Sequence, residues 1–249
     1  MTSKLNTNKV NNISYSLVSI ITVVFNGEKY LEETILSVIN QSYGNIEYII
    51  VDGGSTDGTL NFIKKYEDKI DYWISEPDNG IYDAMNKAIS IANGEYINFM
   101  NAGDSFVDLT TLEKVVPFLK EDFVYGNHKV FLNNVDDGVS VNVESYSGKR
   151  NIPFCHQSLF ARSSCLLRYP FDLNYKIAAD YKQYLDCFHS GASMKHIPIE
   201  IANFLDGGLS MSSRKALIKE YYTITKKYDF FSATMVYIIR LIKFKLLGK

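Results

Sequence analysis

The chain has 249 residues, room for one large α/β domain or for one domain with a small appendage. Hydrophobic residues make up 46% and charged residues 22%, the balance of a globular protein. A net charge of -2 removes any global electrostatic argument for nucleic-acid binding. The 18 Tyr and 15 Phe suit the walls of sugar and base pockets, and they serve equally well as core filling. Cys155, Cys165 and Cys187 are odd in number and have neither finger nor CxxC spacing, so they read as reduced, buried thiols of a cytosolic protein.

Residues 1–16 read as a polar, Asn-rich leader with no apolar signal core. No run of about 18 apolar residues follows, so no membrane span is expected and a cytoplasmic location is. Val18–Phe25 is a continuous β-branched run, the pattern of a strand buried on both faces. After Asn26-Gly27 comes a helix with Leu31, Ile35, Val38 and Ile39 on one face. Ile46–Val51 repeats the strand, with Asp52 at its tip and Gly53-Gly54 turning the chain. Ser55, Thr56 and Asp57 offer an N-cap to a helix carrying Leu60, Ile63 and Tyr66 inward. A strand at Tyr72–Ser75 leads through Glu76-Pro77-Asp78-Asn79-Gly80 to a helix with Ile81, Met85, Ile89 and Ala92 inward. Gly94 ends it, and Glu95–Met100 is the next strand.

Alternating strands and helices with short links imply a parallel sheet covered on both faces, with right-handed crossovers. Beyond about residue 126 the pattern loosens. Lys129–Val143 reads as a hairpin turning at Asp136-Asp137-Gly138, and Pro153–Phe160 as a strand. Ala179–Ser190 reads as a helix, Ser193–Ile199 as extended, and 211–229 and 231–247 as helices.

In a parallel sheet, ligands bind at the carboxyl ends of the strands. Asn26, Asp52 and Asn101-Ala102-Gly103-Asp104 sit at three such ends. Each alone is a common turn former; their convergence on one edge favours a site. No GxGxxG follows the first strand, and Gly53–Thr59 has P-loop glycine spacing without the Lys. HExxH and Gly-x-Ser-x-Gly are absent. What remains suits Mg²⁺ or Mn²⁺ on oxygen ligands, with Asp104 and polar neighbours sharing the ion with substrate phosphates.

The runs SIITVVFNGEKYLEETILSVINQSYGNIEYIIVDGGSTDGT and SEPDNGIYDAMNKAISIANGEYINFMNAGDSF, then HQSLF and AADYKQYL, resemble the large inverting glycosyltransferase family 2. The likeness covers about residues 17–190, and the ordered set of strand tips makes it specific. It implies a GT-A fold: α/β, Rossmann-like, with a mainly parallel central sheet, helices on both faces and helices at the C-terminus. It implies a catalytic domain over 17–210, with a nucleotide-sugar half at 17–125 and an acceptor half at 126–210, followed by a helical tail at 211–249. It implies a base and ribose pocket walled by Thr22, Phe25 and Asn26, with Asp52 bonded to the base and Asn101 beside the nucleotide. Asp104 corresponds to the last carboxylate of the metal motif and Asp180 to the catalytic base. His156, Gln157, Asp83 and Lys87 fall at the donor and acceptor pocket.

The activity implied is inverting transfer from a UDP-sugar to a glycan or lipid-linked glycan in bacterial surface-polysaccharide synthesis, with Mg²⁺ or Mn²⁺ as cofactor. Many relatives carry Asp-Asp-Gly-Ser at Asp52–Ser55 and Asp-x-Asp-Asp at Asn101–Asp104, and an Arg toward the diphosphate where this chain has Met85. A nucleotidyltransferase would want a basic Gly-rich signature that residues 18–30 lack. A catalytically impaired sugar-nucleotide-binding or scaffold module is the other alternative, for which Gly53, Gly103 and Met85 speak and Asp52, Asp104 and Asp180 speak against. Alternatives also stay open for three features. His156 is either a structural strand residue or a pocket residue. Asp180 is either a helix N-cap or a base. Residues 231–247, apolar but broken by Arg240, Lys243 and Lys245, either pack on the protein or lie in a membrane interface.

Overall fold

The computed structural model describes residues 16–131, 139–141, 154–205 and 213–247. Strand β1 (Val18–Val24) is buried along its whole length. Its two faces feed two cores, as period-2 alternation requires. Ile21 and Val23 join Ile49, Val51, Met85 and Ala88 on one side of the sheet. Val18, Ile20 and Val24 join Leu31, Ile35, Ile50 and Ile63 on the other. β1 pairs in parallel with β2 (Ile46–Asp52) and with β4 (Tyr96–Phe99), and β3 (Tyr72–Ser75) runs parallel to β2 at the edge. Between them lie α1 (Leu31–Ile39), α2 (Thr59–Lys65) and α3 (Ile81–Ile91). Every strand tip of this half therefore points to one edge.

The sheet continues in the order β3-β2-β1-β4-β8-β6-β9-β5. Here β5 is Ser105–Phe106, β6 Phe123–Phe131, β8 Leu159–Arg162 and β9 Met194–Leu205. β8 joins β4 and β6 in antiparallel pairing, while β9 runs parallel to β6. The expected hairpin is present as β6 paired with β7 (Val139–Val141); its turn at 136–138 lies outside the described residues, as does the leader at 1–15. The remaining helices are α4 (Thr111–Val115), α5 (Ser163–Arg168), α6 (Ala179–His189), α7 (Arg214–Thr225) and α8 (Phe230–Leu247).

Some expectations shift. The strand expected over Pro153–Phe160 is a 3-10 turn at His156–Ser158 that feeds β8; residue 153 is outside the described set. The turn is stabilised by Ser158, whose N–H and hydroxyl both donate to the Cys155 carbonyl. The cap position of α2 is Gly58. Asp57 still accepts the Thr59 N–H, while Ser55 turns back to Asp52. All three cysteines are free, with Cys187 buried and Cys155 and Cys165 half-buried.

The seam between β4 and β8 is fastened by Arg162. Its guanidinium bonds Glu95, the Tyr96 hydroxyl at 2.6 Å and the Lys120 carbonyl at 3.1 Å, and lies 3.4 Å from Asp122. Arg162→Met should cost about 2 kcal/mol through these charge-assisted bonds. A thermal melt should then show the midpoint lowered by about 4–8 °C.

Candidate active site

The carboxyl ends of β1, β2 and β3 open onto a cleft lined by Val23, Val24, Phe25, Gly53, Asp78, Gly80, Ile81 and Ala84. Phe25 is 65% exposed, an apolar ring held open to solvent at the mouth. Asn26 follows with φ +49°, a left-handed conformation that Asn tolerates. Its amide oxygen accepts the Thr56 N–H at 2.9 Å and its own N–H donates to Ser55 at 2.7 Å, tying the β1 tip to the loop after β2.

Two of the expected nucleotide residues do not face this cleft. Thr22 is fully buried, with its hydroxyl donating to the Met100 carbonyl at 2.8 Å and lying 3.0 Å from the Tyr48 hydroxyl. Asp52 is also fully buried. One of its oxygens accepts from the Gly54 and Ser55 N–H groups and from the Ser75 hydroxyl, and the other from the Ser55 hydroxyl. The residue folds its own turn. Met85 lies in the core at 1% exposure. Asp83 accepts from the Asn79 backbone and side-chain N–H groups. Lys87 pairs with Glu76 at 2.8 Å and lies 3.9 Å from Asp83, so this pair braces the 76–80 loop.

The tip after β4 is a tight turn, with the Asp104 N–H donating to the Asn101 carbonyl at 2.9 Å and Gly103 at φ +102°. Asp104 is buried. Its carboxylate accepts from the Gln157 side chain at 2.6 Å and from the Leu205 N–H at 3.1 Å. Burial pushes its pKa up to about 6, against the pull of those two donors. Among the described residues no three His, Cys, Asp or Glu side chains form a metal cluster. Two buried amide oxygens, Asn101 Oδ1 and Gln157 Oε1, accept no hydrogen bond. Orphaned oxygens beside one carboxylate fit a hard divalent cation whose remaining ligands come from substrate phosphates.

Asn101 and His156 connect this tip to Asp180. The Asn101 amide lies at hydrogen-bond distance, 2.8 Å, from His156 Nε2. Nδ1 lies 3.7 Å from Asp180 Oδ2. The other oxygen, Oδ1, is 3.1 Å from the Tyr82 hydroxyl and accepts the Tyr181 N–H at 2.8 Å. Ala178 occupies the cap position of α6, so Asp180 does not cap its helix. The small Ala178 and Ala179 are buried, and Phe154, Phe171 and Tyr184 wall the apolar hollow that holds His156 and Asp180.

Three contributors were given no role from the sequence: Asp78 and Tyr82, which lie within one of the quoted runs, and Glu220. Tyr82 reads as one more apolar helical position, yet its hydroxyl reaches the Ile177 carbonyl at 2.8 Å as well as Asp180. Burial and the nearby Asp180 charge hold its pKa well above the ordinary tyrosine value. Glu220, on α7, accepts the backbone N–H groups of Lys176, Ile177 and Ala178 at 2.9–3.0 Å.

This architecture is the GT-A fold of nucleotide-sugar transferases. The chain belongs to the glycosyl transferase family 2, whose profile matches residues 19–174. It is 31% identical over 204 residues to a PGL/p-HBAD biosynthesis glycosyltransferase of Mycobacterium tuberculosis, covering 78% of this chain and 79% of the relative. It is 32% identical over 212 residues to an uncharacterized glycosyltransferase of Haemophilus influenzae, covering 80% and 83%. Among solved structures, S. aureus TarS 1-349 in complex with UDP-GlcNAc superposes with a TM-score of 0.66 at 20% identity, covering 83% of this chain and 64% of that one. The chain thus spans just under two thirds of that TarS segment. The mannosyltransferase PcManGT from Pyrobaculum calidifontis, in complex with GDP-Man and Mn²⁺, superposes with a TM-score of 0.68 at 15% identity, covering 94% and 71%.

Glu220 sets the position of the segment just before Asp180. Glu220→Gln weakens a charged acceptor of three N–H groups and should lower sugar transfer by about 10- to 100-fold through misplacement. UDP titration should give an unchanged Kd, because the cleft is built from other elements.

Proposed function

We propose that the chain transfers one sugar from a nucleotide-diphosphate sugar, a UDP-sugar, to an acceptor hydroxyl with inversion, and that Asp180 is the general base. The first turn of α3 carries this proposal: Ile81 and Ala84 line the cleft, while Tyr82 between them contacts Asp180. Donor and base are thereby brought to opposite sides of one helix turn. Phe25 offers its ring to the base, and Asn26 holds the loop beneath it.

Asp180 Oδ2 makes no hydrogen bond among the described residues, which leaves it to take the acceptor proton. Proton acceptance within about 3 Å of the hydroxyl assists its attack on the anomeric carbon as the diphosphate departs. His156 Nδ1 lies 3.7 Å from the same oxygen, and Gln157 anchors Asp104. Asp104 and Asn101 would hold the Mg²⁺ or Mn²⁺, which when bound offsets charge on the leaving diphosphate.

The acceptor is a glycan or lipid-linked glycan of bacterial surface-polysaccharide assembly, met at the cytoplasmic face of the membrane. No described helix is long and apolar enough to cross a membrane. α8 exposes Phe230, Phe231, Met235, Ile238, Ile239 and Ile242 alongside Arg240 and Lys243, and contains no acidic residue. That combination supports interfacial binding to anionic lipid. Anionic liposomes should co-sediment the full chain and leave a chain ending at about residue 229 in the supernatant.

Turnover of UDP-sugars with Mn²⁺ tests the chemistry. Asp180→Asn should lower transfer by about 10²- to 10⁴-fold with UDP affinity intact. Asp104→Ala should abolish metal-dependent transfer while the protein stays folded. Donor binding by the parent protein without any turnover would favour the alternative of a catalytically impaired module.

A further inference from the structure

We infer that Asp78 is the carboxylate that recognises the donor's nucleoside, an inference that rests on the nucleotide-sugar function proposed above. The acid at the β2 tip cannot do this, because Asp52 is fully buried and both its oxygens are taken up by its own turn and Ser75. The cleft nevertheless has an acid in its wall. Asp78 arrives from the loop after β3 and lines the cleft beside Gly53, Val24 and Phe25.

Gly53 and Asp78 fit each other closely. A Cβ at Gly53 would sit 2.5 Å from Asp78 Oδ2, closer than real Cβ atoms approach, and 3.1 Å from its Cγ, a tight contact. The missing side chain at 53 is therefore the space that the Asp78 carboxylate fills. Asp78 thus brings a carboxylate to the β2 tip from a different loop. The group is held in place: Oδ1 accepts the Gly80 N–H at 2.8 Å, and Oδ2 makes no hydrogen bond among the described residues. An oriented carboxylate oxygen beside an exposed aromatic ring demands a hydrogen-bond donor from its ligand. A uridine offers three, the imide N–H of the base and the 2′- and 3′-hydroxyls of the ribose.

Calorimetric titration of the full chain with UDP tests the assignment. Asp78→Ala should weaken UDP binding about 10- to 100-fold, the loss of one hydrogen bond to a charged group. Gly53→Asp alone should weaken it as well, since the added side chain meets Asp78. The double exchange, Gly53→Asp with Asp78→Gly, returns the carboxylate to the same space and should bring Kd back to within a few-fold of the parent. Titration with 2′-deoxyUDP singles out the 2′-hydroxyl. If Asp78 takes the 2′-hydroxyl, parent and Asp78→Ala bind 2′-deoxyUDP alike; if it takes the base N–H or the 3′-hydroxyl, the loss persists. An Asp78→Ala protein that melts normally and binds UDP as tightly as the parent overturns the inference. So does a double exchange that binds no better than Asp78→Ala. A parent protein that binds no nucleoside diphosphate overturns the proposed function itself.

Discussion

One buried carboxylate organises the active-site edge. Asp104 follows β4, yet its side chain accepts from Gln157 in the 3-10 turn and from the Leu205 N–H at the end of β9. Its carbonyl accepts from Thr34 of α1 at 2.7 Å. Taking a carboxylate out of water is costly, and its pKa near 6 records that cost. The geometry is stable only while both donors are in place, so the turn carrying His156 is pinned against the tip carrying Asn101. The hydrogen bond from Asn101 to His156, and the facing of His156 toward Asp180, follow from that pinning.

Asp180 itself is held from distant parts of the chain. Tyr82 comes from the nucleotide side and His156 from the centre. Glu220 comes from the C-terminal region, gathering the N–H groups that lead into α6. Tyr221 adds an edge-on contact to Tyr181 at 4.6 Å, and Ile224 is buried in the core. α7 is therefore structurally bound to the catalytic segment, while α8 keeps an apolar face exposed. Support from these separate parts of the chain holds Asp180 in an apolar hollow without its capping its own helix.

The first half of the fold was legible because its signals are local. A β-branched run such as Val18–Val24 has few alternatives to a buried strand, and Gly and Asp at the tips mark the turns. The antiparallel second half was less legible, because short strands such as β5 and β8 owe their existence to partners far along the chain. Asp104, His156, Gln157 and Asp180 stood out by motif, and the structure draws them together: Gln157 bonds Asp104, Asn101 bonds His156, and His156 lies 3.7 Å from Asp180. Thr22 and Asp52 stood out equally, yet burial turns them inward; a motif records that a residue matters without saying whether it meets ligand or backbone. Asp78 lay within a quoted run with no role of its own, and Glu220 left no trace, since each acts through contacts made only on folding, across Gly53 and across the 176–178 loop.

Direct displacement by a hydroxyl that Asp180 deprotonates forces one stereochemical outcome. The anomeric configuration of the product, followed by proton NMR from the first turnover of an α-linked UDP-sugar, tests this most directly. The early product should carry the β-anomeric signal, with inversion complete. An α-linked product at early times would require a different mechanism and would contradict the role assigned to Asp180.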